Sequence, residues 1–349
     1  MRVVITGASG NVGTAVVDRL VEQDDVESIV GICRREHDWR PPKTEWVHTD
    51  VADGGLGETF RGADAVVHLA WLFQPTRHPE VTWRSNVIGT RKVLDAVVEA
   101  GVPTLVVASS VGAYSPRQHL QPVDEGWPSH GLAQTAYSRE KAYVERMLDA
   151  LEESSHSCRV VRLRPAFTFS RRGSTEQRRL FLGPFVPHRA LSPGVLPVLP
   201  MPRELRLQTL HAEDVATAYE AALLRPVRGA FNVAADPVLA PRDLATVFGA
   251  RWLPVPARAL RAAMATAFRA HVAPASPQLF DLLMSVPVMS TERARNELGW
   301  SARHSAQEAV EAFLHGLKSE SDVPTPPLAE DTSGPGRSHE AATGMGETD

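Results

Sequence analysis

The 349-residue sequence is 43% hydrophobic and 22% charged, with a formal net charge of −4, enough apolar material for one large domain or a domain with a smaller lobe. Its two cysteines, Cys33 and Cys158, are too few for a disulfide framework or a thiolate metal site, and its thirteen histidines lack H-E-x-x-H or similar spacing, so no metal is expected. No apolar run approaches membrane-spanning length and no room precedes a first strand at residue 2 for a signal peptide, so the expectations are no membrane partner and a reducing cytoplasm.

Val3-Val4-Ile5 reads as a buried strand, and Val12, Val16, Val17, Leu20 and Val21 share one helical stripe. Between them lies TGASGNVG. A glycine turn opening a helix suits a phosphate, because the first N–H groups are unpaired and the dipole is positive there. Gly7 makes the tight turn, Gly10 lets a pyrophosphate approach the backbone, and Gly13 lets the helix pack closely on the strand. SIVGICRR is a second strand ending at Arg34 and Arg35, EWVHTDV a third ending near Asp50, and ADAVVHLAW a fourth from Ala65 to about Ala70. TWRSNVIGTRKVLDAVVEAG is one long helix with Gly101 at its C-terminal end, TLVVASSVGAY a fifth strand, TAYSREKAYVERMLDALEE a helix and CRVVRLRP a sixth strand. This alternation predicts a doubly wound, parallel Rossmann-type sheet (α/β) with a smaller, mainly C-terminal substrate lobe.

Residues 166–210 read as irregular and proline-rich. Helices follow at HAEDVATAYEAALL, PRDLATVFG, RALRAAMATAFRAH and STERARNELGW, with a strand at GAFNVA. The predicted organisation is 1–165 dinucleotide-binding, 166–317 a substrate lobe with segments returning to the sheet, and 318–349 a disordered tail. The tail carries two basic and seven acidic residues, leaving the body at about +1. With no basic stripe interleaved with aromatics, a nucleic-acid partner is not expected.

In YSREK, Tyr137 and Lys141 stand one helical turn apart, about 5–6 Å at Cβ. An ammonium there lowers the pKa of a tyrosine, which then serves as acid or base at a carbonyl or hydroxyl. Ser109 and Ser110 end the fifth strand, where open α/β sheets place their active sites. A serine at a strand end also reads simply as a cap on the next segment.

TGASGNVG, Asp50-Val51, HLA, NVIGT, SSVGAY, YSREK, RLRP and LHAEDVA, in that order, resemble the extended short-chain dehydrogenase/reductase family, also called the NAD-dependent epimerase/dehydratase family. The resemblance runs from Met1 to about residue 316 and is strongest before Pro165. It implies that Gly7, Gly10 and Gly13, helped by Asn11 and Val12, cradle a pyrophosphate. Asp50 and Val51 would contact the adenine, Leu69 and Ala70 line the dinucleotide path, Asn86 lie near it, and Pro165 touch the nicotinamide end. Ser110 would orient the substrate oxygen, Tyr137 act as general acid/base, and Lys141 bind the nicotinamide ribose and lower the Tyr137 pKa. A homodimer is a further expectation from the resemblance.

At the end of the second strand, Cys33-Arg34-Arg35 replaces the acid that binds a ribose 2′-hydroxyl, which favours NADP over NAD. The expected activity is hydride transfer between a nicotinamide and a small carbonyl or alcohol substrate. The alternatives are a nucleotide-sugar epimerase that retains NAD and a dinucleotide-binding protein without turnover. Phe167 stands where many nucleotide-sugar members carry asparagine, Leu207 where many carry arginine four residues before the histidine aligned with His211, and Val111-Gly112 where the dehydratases carry Asp-Glu. Trp71, Leu72, Phe73, Phe167 and Phe169 are candidates for an apolar pocket or for plain core. Seven arginines between Ala166 and Arg206 read as an anion-attracting lobe or a solvated surface.

Overall fold

The computed structural model describes residues 1–73, 79–154, 157–174, 176–178, 194–270, 275–317 and 325–328. The expected tail from 318 therefore lies almost wholly outside the described residues, as do Arg179 and Arg189.

Seven parallel strands form the central sheet: β1 (Arg2–Thr6), β2 (Ser28–Cys33), β3 (Thr44–His48), β4 (Ala65–His68), β5 (Thr104–Ala108), β6 (Arg159–Pro165) and β10 (Gly229–Val233). Their order is β10-β6-β5-β4-β1-β2-β3. Side chains alternate between faces along each strand, and both faces are covered. Val3 and Ile5 pack with Val16, Val17 and Leu20 of α1 (Asn11–Val21) and with Val215 and Tyr219 of the helix Ala212–Leu224. Val4 and Val66 face the other way, onto Val93 and Val97 of α4 (Gly89–Glu99) and Val144 and Leu148 of α5 (Ala136–Ser154). Each such fully buried aliphatic contributes roughly 1.5–3 kcal/mol.

The chain runs outward from β1 in both directions, so the order reverses between β1 and β4. Ligands bind at such a switch point, beyond the carboxyl ends of the strands. Gly7 and Leu69-Ala70 meet there: a Cβ on Gly7, which has φ +72°, would lie 2.7 Å from the Ala70 nitrogen.

Three segments differ from the sequence reading. The expected long helix is α3 (Pro79–Trp83), a π-helical turn Arg84–Ile88, then α4. Asn86, wholly buried in the π turn, spends its side chain on neighbouring segments, and such bulges recur at functional sites. Strand β5 stops at Ala108, and Val111–Ala113 form a single 3-10 turn. The proline-rich stretch contributes β7 (Phe167–Phe169), β8 (Val198–Met201) and β9 (Thr209–His211); β7 pairs with β9, and β8 with β11 (Arg251–Pro254). Two further helices, Pro277–Ser285 and Ala306–Gly316, were not foreseen. No helix among the described residues is long and apolar enough to cross a membrane.

Candidate active site

The glycine turn has the form a phosphate cradle needs. Gly10 is the N-cap of α1 with extended backbone and no side-chain cap, and the first helical bond runs from Thr14 N–H to the Gly10 carbonyl. The N–H groups that open the helix are left for a ligand. A Cβ on Gly13 would sit 2.2 Å from the Gly7 carbonyl oxygen, so α1 approaches the turn as only glycine permits. Asn11 accepts a hydrogen bond from Ser170 Oγ at 2.5 Å, so residues 170–173 border the cradle on the substrate-lobe side. Val12 packs partly buried against the core.

Arg34 and Arg35 are exposed just past the end of β2, while Cys33 is buried. The Asp50 carboxylate accepts from Ala52 N–H at 2.8 Å and stands 3.8 Å from Arg84. Val51 is core and lies against Gly89. Leu69 donates to the Thr6 carbonyl and Ala70 to the Thr6 hydroxyl. Asn86 accepts from Leu72 N–H at 2.6 Å and donates to the Leu72 carbonyl and the buried Glu140 carboxylate at 3.0 and 2.7 Å. It holds the loop after β4. Pro165 closes β6 opposite Val233.

The chemistry-bearing residues converge beyond the end of β5. Ser110 is the N-cap of the 3-10 turn, accepting from Gly112 N–H at 3.0 Å, and its hydroxyl lies near enough to the Tyr137 phenol to work against the rise in the phenol pKa. The cap reading of Ser110 is the one this geometry shows. Gly112 is a positioning residue that the sequence reading missed: a Cβ there would lie 2.7 Å from Tyr137 Cε1. Trp71 and Phe73 meet Tyr137 edge-on at centroid distances of 5.9 and 4.9 Å, and Phe167 joins the same apolar cluster. Phe169 does not, packing on Phe313 instead.

Lys141 departs from expectation. Its Nζ donates to the Ala108 carbonyl at 2.7 Å and sits 3.3 Å from the Trp71 ring centroid, against 5.9 Å from that of Tyr137. Burial pushes its pKa down to about 7, against the opposing pull of Glu145 and Glu140. Burial likewise pushes Tyr137 up to about 12, only partly offset by Ser110. The expected lowering of the tyrosine pKa by Lys141 is therefore not realised: the ammonium is desolvated and drawn to a carbonyl and an indole face. Beneath the site, His68 is held neutral, its pKa lowered to about 3 by burial and then by Lys141, between the Thr6 and Thr90 hydroxyls.

Glu140 was also missed. It is raised in pKa, by burial first, and accepts from Thr82 Oγ1 and Asn86 Nδ2 at 2.6 and 2.7 Å. Its signal was available, since it shares a helix stripe with Tyr137, Val144 and Leu148. Ligand atoms of His211, Glu213 and His304 come within 4.8 Å of one another. His211 is engaged as the N-cap of Ala212–Leu224, and His304 pairs with Asp214 at 3.0 Å.

The profile of the NAD-dependent epimerase/dehydratase family matches residues 3–234. An uncharacterized protein of Mycobacterium tuberculosis is 28% identical over 322 residues, 91% of this chain and 30% of that protein, so the chain spans less than a third of this relative. A putative dihydroflavonol 4-reductase of Synechocystis is 32% identical over 156 residues, 44% of this chain and 41% of that one. Among solved structures, UDP-glucose 4-epimerase of Thermus thermophilus in complex with NAD has a TM-score of 0.67 at 20% identity, covering 91% of this chain and 99% of that one. MoeE5 in complex with UDP-glucuronic acid and NAD has a TM-score of 0.65 at 18% identity, with the same coverage. At these identities the structural likeness establishes the fold.

Proposed function

The chain belongs to the NAD-dependent epimerase/dehydratase family, and from that premise we propose that it is an NAD(P)-dependent oxidoreductase of the extended short-chain type, interconverting a carbonyl and an alcohol on a small molecule. The observation that carries this reading is the Ser110–Tyr137 hydroxyl pair beyond β5, on the same edge of the sheet as the open N-terminus of α1. A bound nicotinamide supplies or accepts the hydride. Ser110 holds the substrate oxygen and Tyr137 exchanges its proton. With its pKa at about 12, Tyr137 is a phenol at neutral pH, the form that protonates an oxyanion in the reductive direction. Oxidation needs the Lys141 ammonium turned from Trp71 toward Tyr137, which stabilises the phenolate. Preorganised donors at the oxygen supply the electrostatic stabilisation.

Arg34 and Arg35, exposed where an acid would meet a ribose 2′-hydroxyl, support NADP over NAD. The first experiment titrates the purified protein with NADPH and with NADH and assays any dinucleotide it already carries. Exchangeable NADPH, bound about tenfold less tightly by R34A/R35A, is the expected result. Tightly held NAD that survives purification points instead to an epimerase that recycles its cofactor. Y137F abolishes turnover of an active aldehyde or ketone while sparing dinucleotide binding; activity that survives this substitution refutes the mechanism.

A further inference from the structure

Two guanidinium groups rest on one turn. Arg117 Nη2 donates to the Glu204 carbonyl at 2.8 Å, and Arg206 Nη1 to the Arg203 and Leu205 carbonyls at 3.0 and 2.7 Å. Three successive carbonyl oxygens thus gather two positive charges. Arg117 Nη1 is shielded from solvent and hydrogen-bonded to nothing. Among the described residues no carboxylate lies within ion-pair distance of either arginine. Arg117 has its pKa lowered by burial first and by the Arg206 charge second, with Glu204 opposing weakly.

An unpaired, buried donor on a charged group is costly, and a second like charge beside it adds to the cost. The arrangement is therefore incomplete without an anion, and a guanidinium pair matches the planar oxygens of a carboxylate or phosphate. Its position is informative. Arg206 lines a narrow cleft with Val111, Ala166, Phe167, Val286 and Val288. Val111, Ala166, Phe167 and Val286 pack in one cluster with Tyr137, so the cleft lies on the Tyr137 side of the site, while Arg117 N–H donates to the Ser285 carbonyl at the start of the opposite wall.

We propose that Arg117 and Arg206 bind an oxyanion, carboxylate or phosphate, at the end of the substrate remote from the reacting carbon. Calling the occupant a substrate rests on the functional reading above; the anion site itself does not.

The test uses full-length protein saturated with its dinucleotide, so that the glycine turn is filled, titrated calorimetrically with inorganic phosphate and separately with acetate. The expected result is a site weakened about tenfold or more in R117Q and in R206Q and unchanged in R203Q, whose side chain is exposed. Phosphate bound more tightly than acetate identifies a phosphoryl group, and the reverse a carboxylate. No anion binding to the wild type, or equal binding by R117Q and R206Q, overturns the proposal. Far-UV circular dichroism and dinucleotide affinity of each variant separate loss of the anion site from loss of the fold. A protein that binds no dinucleotide fails the functional reading instead, while the comparison of R117Q with wild type still decides this one.

Discussion

Replacing Lys141 by methionine should remove a pH dependence of stability that the wild type shows between pH 7 and 9. Lys141 is 3% exposed, and its pKa falls from 10.5 to about 7 on burial. At roughly 1.4 kcal/mol per pH unit, carrying the charge into the fold costs about 5 kcal/mol. The sign follows from proton counting. Above pH 7 the native lysine has lost its proton while the unfolded one keeps it up to pH 10.5, so stability rises with pH through this window. The gain from pH 7 to 9 is about 2 kcal/mol. Three groups around it titrate outside that range: His68 is lowered to about 3, Tyr137 raised to about 12, and Glu145 lowered to about 2. Urea unfolding of wild type and K141M at pH 7, 8 and 9 reads the difference directly. A wild type as flat as the variant, or a variant with the wild-type slope, would falsify the assignment of a desolvated ammonium against Ala108 and Trp71.

G13A forces a methyl group to 2.2 Å from the Gly7 carbonyl; dinucleotide affinity should fall at least about tenfold by calorimetry, and affinity within twofold of wild type would show that the turn holds no pyrophosphate. G112A pushes the Tyr137 ring away from Ser110; turnover should drop about tenfold or more while dinucleotide binding stays within twofold, and unaltered turnover would remove the pairing from the mechanism. E145Q leaves Arg164, paired to Glu145 at 2.9 Å, without its buried counter-charge, while Arg162 keeps Asp149 and Glu152, at an expected loss of about 3 kcal/mol. Burial alone would raise the Glu145 pKa, but Arg164 and Arg162 hold it at about 2 against an ordinary 4.5. Its contribution, about 3 kcal/mol, is full above pH 4.5 and lost as pH falls through 2; acid unfolding of E145Q with the wild-type slope would contradict this.

The sheet was legible because its strands are buried on both faces. Val3-Val4-Ile5 must be apolar without interruption, and the intervening helices must each show one apolar stripe. The crossovers then left little freedom of topology. The lobe lacked such a signal. Its strands β7, β9 and β11 have three or four residues each and pair across gaps of about 40 or more positions. The helix Ala306–Gly316 does carry a legible start, since Ser305 and Glu308 form a reciprocal cap.

At the site, spacing told which residues share a face and not where their side chains point. Tyr137 and Lys141 do lie on one helical turn, yet Lys141 has several acceptors within reach of a long, flexible stem. The Ala108 carbonyl and the Trp71 ring are supplied by β5 and by the loop after β4, neither of which the YSREK motif encodes. The same limit applies to Arg117: its partner carbonyl at Glu204 is 87 residues away, in a stretch that reads as irregular. Its Nη1, buried and without a hydrogen-bond partner, is a property of the folded chain that no motif encodes. On the proposed reading, the motifs mark the reacting end of the site, and the arginine pair is assembled from residues whose significance lies in their tertiary neighbours.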